Sequence, residues 1–334
     1  MAEHRSTWAS ASRGPGAVAR AALCAARRRC FVPLLATLGC IAAVLAGCSL
    51  DRLATRTVTD LVSGQGGDDV FASEQDPRLV GDALPFALKL YELLLSRAPD
   101  DPGLQLATGR SFVAYANAFV QRPAEQMPVT EIDLRISELQ RAKLHYLRGH
   151  DYLLAGLDLR HPGFAALFAS PDSMDEALAM ADAGSIDYLY WMAAACLGAL
   201  STDPFDMELL VAAPYAAKML HMVIDWDERY QGGAAHDILI RYYAGTAAVL
   251  GGDMGRAREH FERAVAASGD KRTGPYLAMA GVAVGQQDPV LFRRLLGDAL
   301  AIELDVAQYR LQNTLDQQYA AWLLDHMEDL FVEL

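Results

Sequence analysis

From Asp76 onward, apolar residues recur every three or four positions, and no run alternates with the period of two that a half-buried strand requires. Leu84, Leu88, Tyr91 and Leu95 form one such stripe. A long helix is predicted from Glu131 to about Leu159, with Ile132, Ile136, Leu139, Tyr146, Leu153 and Leu157 on one face, and a last one from about Val306 through Leu315, Tyr319, Trp322, Leu323, Met327 and Leu330. Proline and glycine clusters punctuate the pattern, among them Pro99 to Pro102, Pro123 to Pro128, Pro162-Gly163, Gly232-Gly233, Gly251-Gly252 and Gly274-Pro275. Asp101, Asp203 and Asp288 each precede a proline, so the carboxylate can cap a helix whose first turn the proline takes. The expectation is an all-α chain of about a dozen helices joined by short loops, built as an array of helical hairpins.

The small and large residues of these helices point to degenerate tetratricopeptide repeats, units of about 34 residues in which small residues let two helices cross closely. Gly245, Gly252, Ala257, Phe261 and Ala264 fall where such a repeat places its interlocking residues. Ala87, Tyr91 and Pro99, followed by Gly109, give a second match, although the period is irregular.

The segment before Asp76 has a different character. Six arginines and one glutamate precede Cys48, and the apolar run Phe31 to Leu45 ends in Leu45-Ala46-Gly47-Cys48. A basic start, an apolar middle and small residues at the end are the pattern of an export signal. The run falls short of the roughly 20 residues of a spanning helix. The Leu-Ala-Gly-Cys ending resembles the bacterial lipobox, which implies cleavage before Cys48 and lipid, including palmitate-type acyl chains, on its sulfur. The expected organisation is residues 1–47 as lipoprotein signal peptide, 48–75 as a lipidated tether with a short helix, and 76–334 as the helical domain. Ser49 after the cysteine favours the outer membrane over the inner, in a periplasmic setting. With Cys24, Cys30 and Cys40 removed and Cys48 lipidated, Cys196 stands alone in an apolar helix and packs as a small hydrophobe. The full chain carries −13, and loss of the arginine-rich leader leaves the remainder more acidic, which argues against nucleic acid as a partner.

No motif for catalysis, metal or cofactor emerges. There is no His-Glu-x-x-His, no Gly-Lys-Ser/Thr phosphate loop and no complete nucleophile elbow around Ser185. The histidines are scattered, with His145 and His150 five apart and off one helix face, which suits solvated or capping roles. Carboxylate pairs such as Asp227 and Glu228 read as solvated surface. One stretch differs: Phe112 to Val120 is apolar nearly all round yet contains Tyr115 and Asn117. Such a helix should be buried, and a buried asparagine needs partners. Either Asn117 bonds a neighbouring backbone or helix end, or Tyr115 and Asn117 face a cleft where a ligand supplies the bonds.

The order of these elements resembles a known family. Leu79 to Pro85, Tyr91-Glu92, Leu106 to Gly109, Tyr115 to Val120, Arg141-Ala142 to Asp151-Tyr152, Phe261 to Ala264 and Phe292 to Leu296 are similar to the T-component of tetratricopeptide-protein-associated tripartite ATP-independent periplasmic (TRAP) transporters. The resemblance implies a noncatalytic periplasmic lipoprotein whose partner is the solute-binding P-component of the transporter. It also implies a homotrimer and a cleft or pore for a hydrophobic or carboxylate-bearing ligand. Two other readings fit the same residues: a tetratricopeptide-repeat scaffold for envelope assembly, and a periplasmic enzyme with an unrecognised site.

Overall fold

The computed structural model describes residues 70–332. Among these residues there are thirteen α-helices and no strand, so the all-α expectation holds. Helix α1 (Pro77–Leu95) starts where Asp76 accepts hydrogen bonds from the backbone N–H of Arg78 and Leu79, and it buries Val80, Leu84, Leu88, Tyr91 and Leu95. Helix α2 (Pro102–Tyr115) starts the same way, Asp101 accepting from Leu104 N. The expected helix over Phe112 to Val120 is not a single α-helix. At Ala116 it widens into a π-helix (Ala116–Gln121), and Arg122 N donates back five residues to the Asn117 carbonyl. Pro123 supplies a reason: it has no N–H to donate, and its ring would crowd the carbonyl four residues earlier in a regular α-helix. The short α3 (Arg122–Glu125) follows.

Helix α4 (Ile132–Arg160) runs the predicted length, but its stripe is buried in only one half. Tyr146, Leu153 and Leu157 are in the core, while Ile132 and Ile136 are nearly half exposed. Helix α2 lies along α4 at a point where both lack side chains. A Cβ on Gly109 would come within 2.7 Å of the Gly149 carbonyl oxygen and 2.6 Å of Leu153 Cγ, and a Cβ on Gly149 within 2.8 Å of the Gly109 carbonyl oxygen.

Two short helices, α5 (Phe164–Phe168) and α6 (Met174–Met180), lead to α7 (Ile186–Thr202), which packs on α4, and α8 (Met207–Trp226), which packs on α7. Among the described residues α8 is the helix long and apolar enough to cross a membrane. Here it serves as a core helix, burying Leu209, Ala213, Ala216, Leu220 and Val223. Its cap corrects the sequence reading. Asp206, not Asp203, accepts from Glu208 N and Leu209 N, because α8 begins three residues beyond Asp203-Pro204. Asp203 and Asp206 both receive the Lys143 ammonium, at 2.7 and 2.6 Å, which ties the α7–α8 turn to α4.

The last third is the most regular. Helices α9 (Ala234–Gly245) and α10 (Met254–Ser268) form one hairpin, α11 (Gly274–Gly285) and α12 (Pro289–Ala301) the next, and α13 (Arg310–Asp325) follows. Helix α11 packs on α9 as well as on α12, and α13 packs on α12 and α11. Asp253 and Asp288 cap α10 and α12. Helix α9 joins the two main cores: Leu239 and Tyr243 belong to the one built from α1 to α8, and Ile240 to the one built from α11 to α13.

Candidate functional site: an interior cavity

Residues from nine of these helices and the π-helix line a cavity of about 1140 Å³, large enough for a small-molecule ligand. Apolar walls come from Leu197 and Leu200 on α7, Leu210 and Ala213 on α8 and Ile238 on α9, with Trp191 and Tyr190 beside them. The apolar stripes of neighbouring helices thus meet around a space instead of filling it.

The polar part of the wall is a connected set. Asn117, on the π-helix, donates from Nδ2 to Tyr146 Oη at 3.1 Å. Tyr146 donates in turn to Gln121 Oε1 at 2.7 Å, and Gln121 donates to Glu125 and to Ser201. Burial raises the Tyr146 phenol far above its ordinary value, so it stays a neutral donor. Two ion pairs buttress the far side. Arg122 Nη1 lies 2.7 Å from Asp316 Oδ1, and Arg272 Nη2 lies 2.7 Å from Asp237 Oδ2. Burial opposes the charge on Arg122, and Asp316 outweighs it, so the guanidinium pKa is raised. Burial pushes the Asp237 carboxyl up against the pull of Arg272, and Asp237 Oδ1 has no hydrogen-bond partner. Arg241, exposed and one turn along α9 from Asp237, also lines the cavity, and its charge pulls against the effect of burial on the Asp237 carboxyl. The wall therefore combines an apolar lining with a connected set of polar and charged side chains.

The two candidate cleft residues part company here. Asn117 lines the large cavity, whereas Tyr115 lines a second one of about 420 Å³ between α1, the π-helix and α13. Tyr115 Oη accepts from Arg141 Nη2 at 3.1 Å. Ala118, Phe119, Arg122 and Leu315 line both cavities, so a partition four residues wide separates them.

The candidate packing residues divide as well. Ala257 and Ala264 are fully buried and Tyr91 is 8% exposed, while Ala87 is half-buried. Gly109 sits at the α2–α4 crossing. Phe261 packs edge-on against Tyr276, ring centres 5.5 Å apart. Gly245 is the exception: it is exposed at the end of α9, and a Cβ there would meet nothing within 4 Å, so no close crossing requires it. Cys48 lies outside the described residues. Cys196 is buried, and burial pushes its thiol up to about 12, which makes it a poor nucleophile at neutral pH. Among the described residues no three His, Cys, Asp or Glu side chains are placed to hold a metal.

Sequence reasoning missed Tyr146, Gln121, Asp237, Arg241 and Asp316 because they come from four separate elements, Asp237 and Arg241 sharing α9, and only the packing brings them together. Arg272, in the connection just before Gly274-Pro275, is only 8% exposed. The histidines are less scattered than they read, since His221, His236 and His260 meet. His145 is half-buried and stacks on Phe112 at 5.8 Å.

Paired helices around a mostly apolar cavity, with an anchored polar network in its wall, define the class: an all-helical hairpin protein. Residues 73–331 match the model of the family described as TRAP transporter T-component, and the chain belongs to that family. It is thus an accessory component of a transport system. It is also 32% identical over 304 residues to an uncharacterized protein of Treponema pallidum (strain Nichols), an alignment covering 86% of this chain and 94% of that one.

Proposed function

We propose that this chain is a noncatalytic periplasmic lipoprotein that docks the solute-binding P-component of a TRAP-type transporter and holds it at a membrane through lipid on Cys48. The observation that carries the reading is family membership over residues 73–331, spanning the helices that enclose the cavity. The order in which α9 to α13 pack, hairpin on hairpin, supports degenerate tetratricopeptide repeats, and stacked hairpins of that kind offer an extended surface for a partner. In this reading the chain is a homotrimer, each subunit engages one P-component, and the outer membrane is the favoured site of anchorage. The test is co-purification of the full-length chain from detergent-solubilised envelope. A solute-binding protein recovered in stoichiometric amount supports the docking role, and envelope-assembly factors without such a protein contradict it.

The cavity gives this function a finer content. Its apolar walls suit a hydrophobic ligand, and the solvent-exposed guanidinium of Arg241 suits a carboxylate. The four residues shared with the second cavity support a path through the subunit, with Phe119 in the partition.

A further inference from the structure

His221, His236 and His260 come from α8, α9 and α10. His236 has no exposed surface and His260 is 3% exposed. Their Nδ1 atoms are 2.8 Å apart, so one ring donates its N–H to the lone pair of the other. That bond requires at least one of the two rings to be neutral. Tyr243 of α9 stacks flat on His260, ring centres 5.5 Å apart, and its hydroxyl lies 2.7 Å from His221 Nε2. The pair thus pins α9 to α10, while the same helix α9 presents Asp237, Ile238 and Arg241 to the cavity.

The charged groups around the pair offer little room for added protons. Helix α10 contributes Arg256, which stacks on Tyr243, and Arg263. Helix α8 contributes His221 and, next to it, Asp225. The α8–α9 connection contributes Glu228, whose Oε1 lies 3.7 Å from His236 Nε2. That carboxylate is already held by Arg263 Nε at 2.8 Å, which also contacts Glu259, and Arg229 acts on it from the same turn. His236 Nε2 has no hydrogen-bond partner.

We propose that His236 and His260 form an acid-sensitive latch that holds α9, and with it one wall of the cavity, against α10. With both rings protonated, two N–H groups face each other and no acceptor remains. Burial lowers His236 to about 4, helped by Arg263, and lowers His260 to about 3, helped by His236 and His221. The closed state therefore takes up fewer protons than an opened one, whose imidazoles titrate near 6.5. Stabilisation by the latch is complete above that pH and is lost as pH falls toward the closed-state values. This holds whether or not the cavity takes a ligand.

The test is hydrogen exchange on the full-length chain in detergent at pH 7.5 and 5.0, corrected for intrinsic chemistry. Residues 234–245 and 254–268 should open at least about tenfold more often at pH 5.0, measured against residues 102–115 and 132–160. In the double variant His236→Asn, His260→Asn, the amides keep a hydrogen-bonding group near each Nδ1 without titrating, and the extra opening should vanish. Equal responses in all four segments, or an unchanged response in the double variant, would overturn the latch. An NMR titration of the wild-type rings decides the matter even if the variant does not fold. Neither His236 nor His260 should titrate between pH 7.5 and 5.0, and a midpoint near 6.5 for both would refute the proposal.

Discussion

A single methyl group at Gly109 has nowhere to go, because it would meet a backbone oxygen of Gly149 and the branch of Leu153. Backbone cannot swing aside as a flexible side chain can, so Gly109→Ala should separate α2 from α4. The expected cost is about 1–3 kcal/mol, read by urea unfolding; Gly245→Ala, with open space around it, should lie within about 0.5 kcal/mol of wild type. The buried ion pairs behave differently. Asp316 accepts Arg122 on one oxygen and the Thr273 hydroxyl on the other, at 2.7 Å each. Asp316→Ala leaves the largely buried Arg122 without its ion-pair partner and should cost about 3–5 kcal/mol. The double variant Arg122→Met, Asp316→Leu should recover most of that loss, since it removes the stranded charge along with its partner. At this scale the sequence was a partial guide. Gly109 could be read from the spacing of small residues, because helix crossings demand them. The Arg122–Asp316 pair could not, because 194 positions separate its members and only the packing of α3 near α13 joins them.

Helices were legible because three local signals agree: apolar spacing, prolines in first turns and aspartates just before them. Where two of those signals coincide on nearby residues, the sequence misleads. Asp203 precedes a proline and looks like a cap, yet Asp206 does the capping, since α8 starts only after the turn that brings both carboxylates to Lys143. Asp206→Ala should therefore cost about 1–2 kcal/mol in thermal or urea unfolding. Asp203→Ala, which leaves Lys143 one partner and removes no cap, should cost less than about 0.5 kcal/mol. The π-helix was illegible for another reason. Phe112 to Val120 reads as uniformly apolar, and the wider turn depends on Pro123, a residue beyond the stretch itself. Asn117 and Tyr115 line different cavities, as residues two apart, about 200° around a helix, should.

At the scale of the whole molecule, periodicity predicts that the stripes are buried but not what they are buried against. Helices α2, α4, α7, α8 and α9 direct part of their apolar surface into a common space, so the chain keeps a hollow where a protein of this size would ordinarily be filled. Calorimetric titration of the full-length chain with octanoate and with octanol probes that hollow most directly. One molecule of either probe should bind per chain, saturably, octanoate more tightly than octanol. The difference between the two should close in Arg241→Met, and both should be lost in Ala194→Phe, which fills the cavity. Absence of saturable binding by either probe, or binding that Ala194→Phe leaves unchanged, would contradict a ligand-binding role for the hollow.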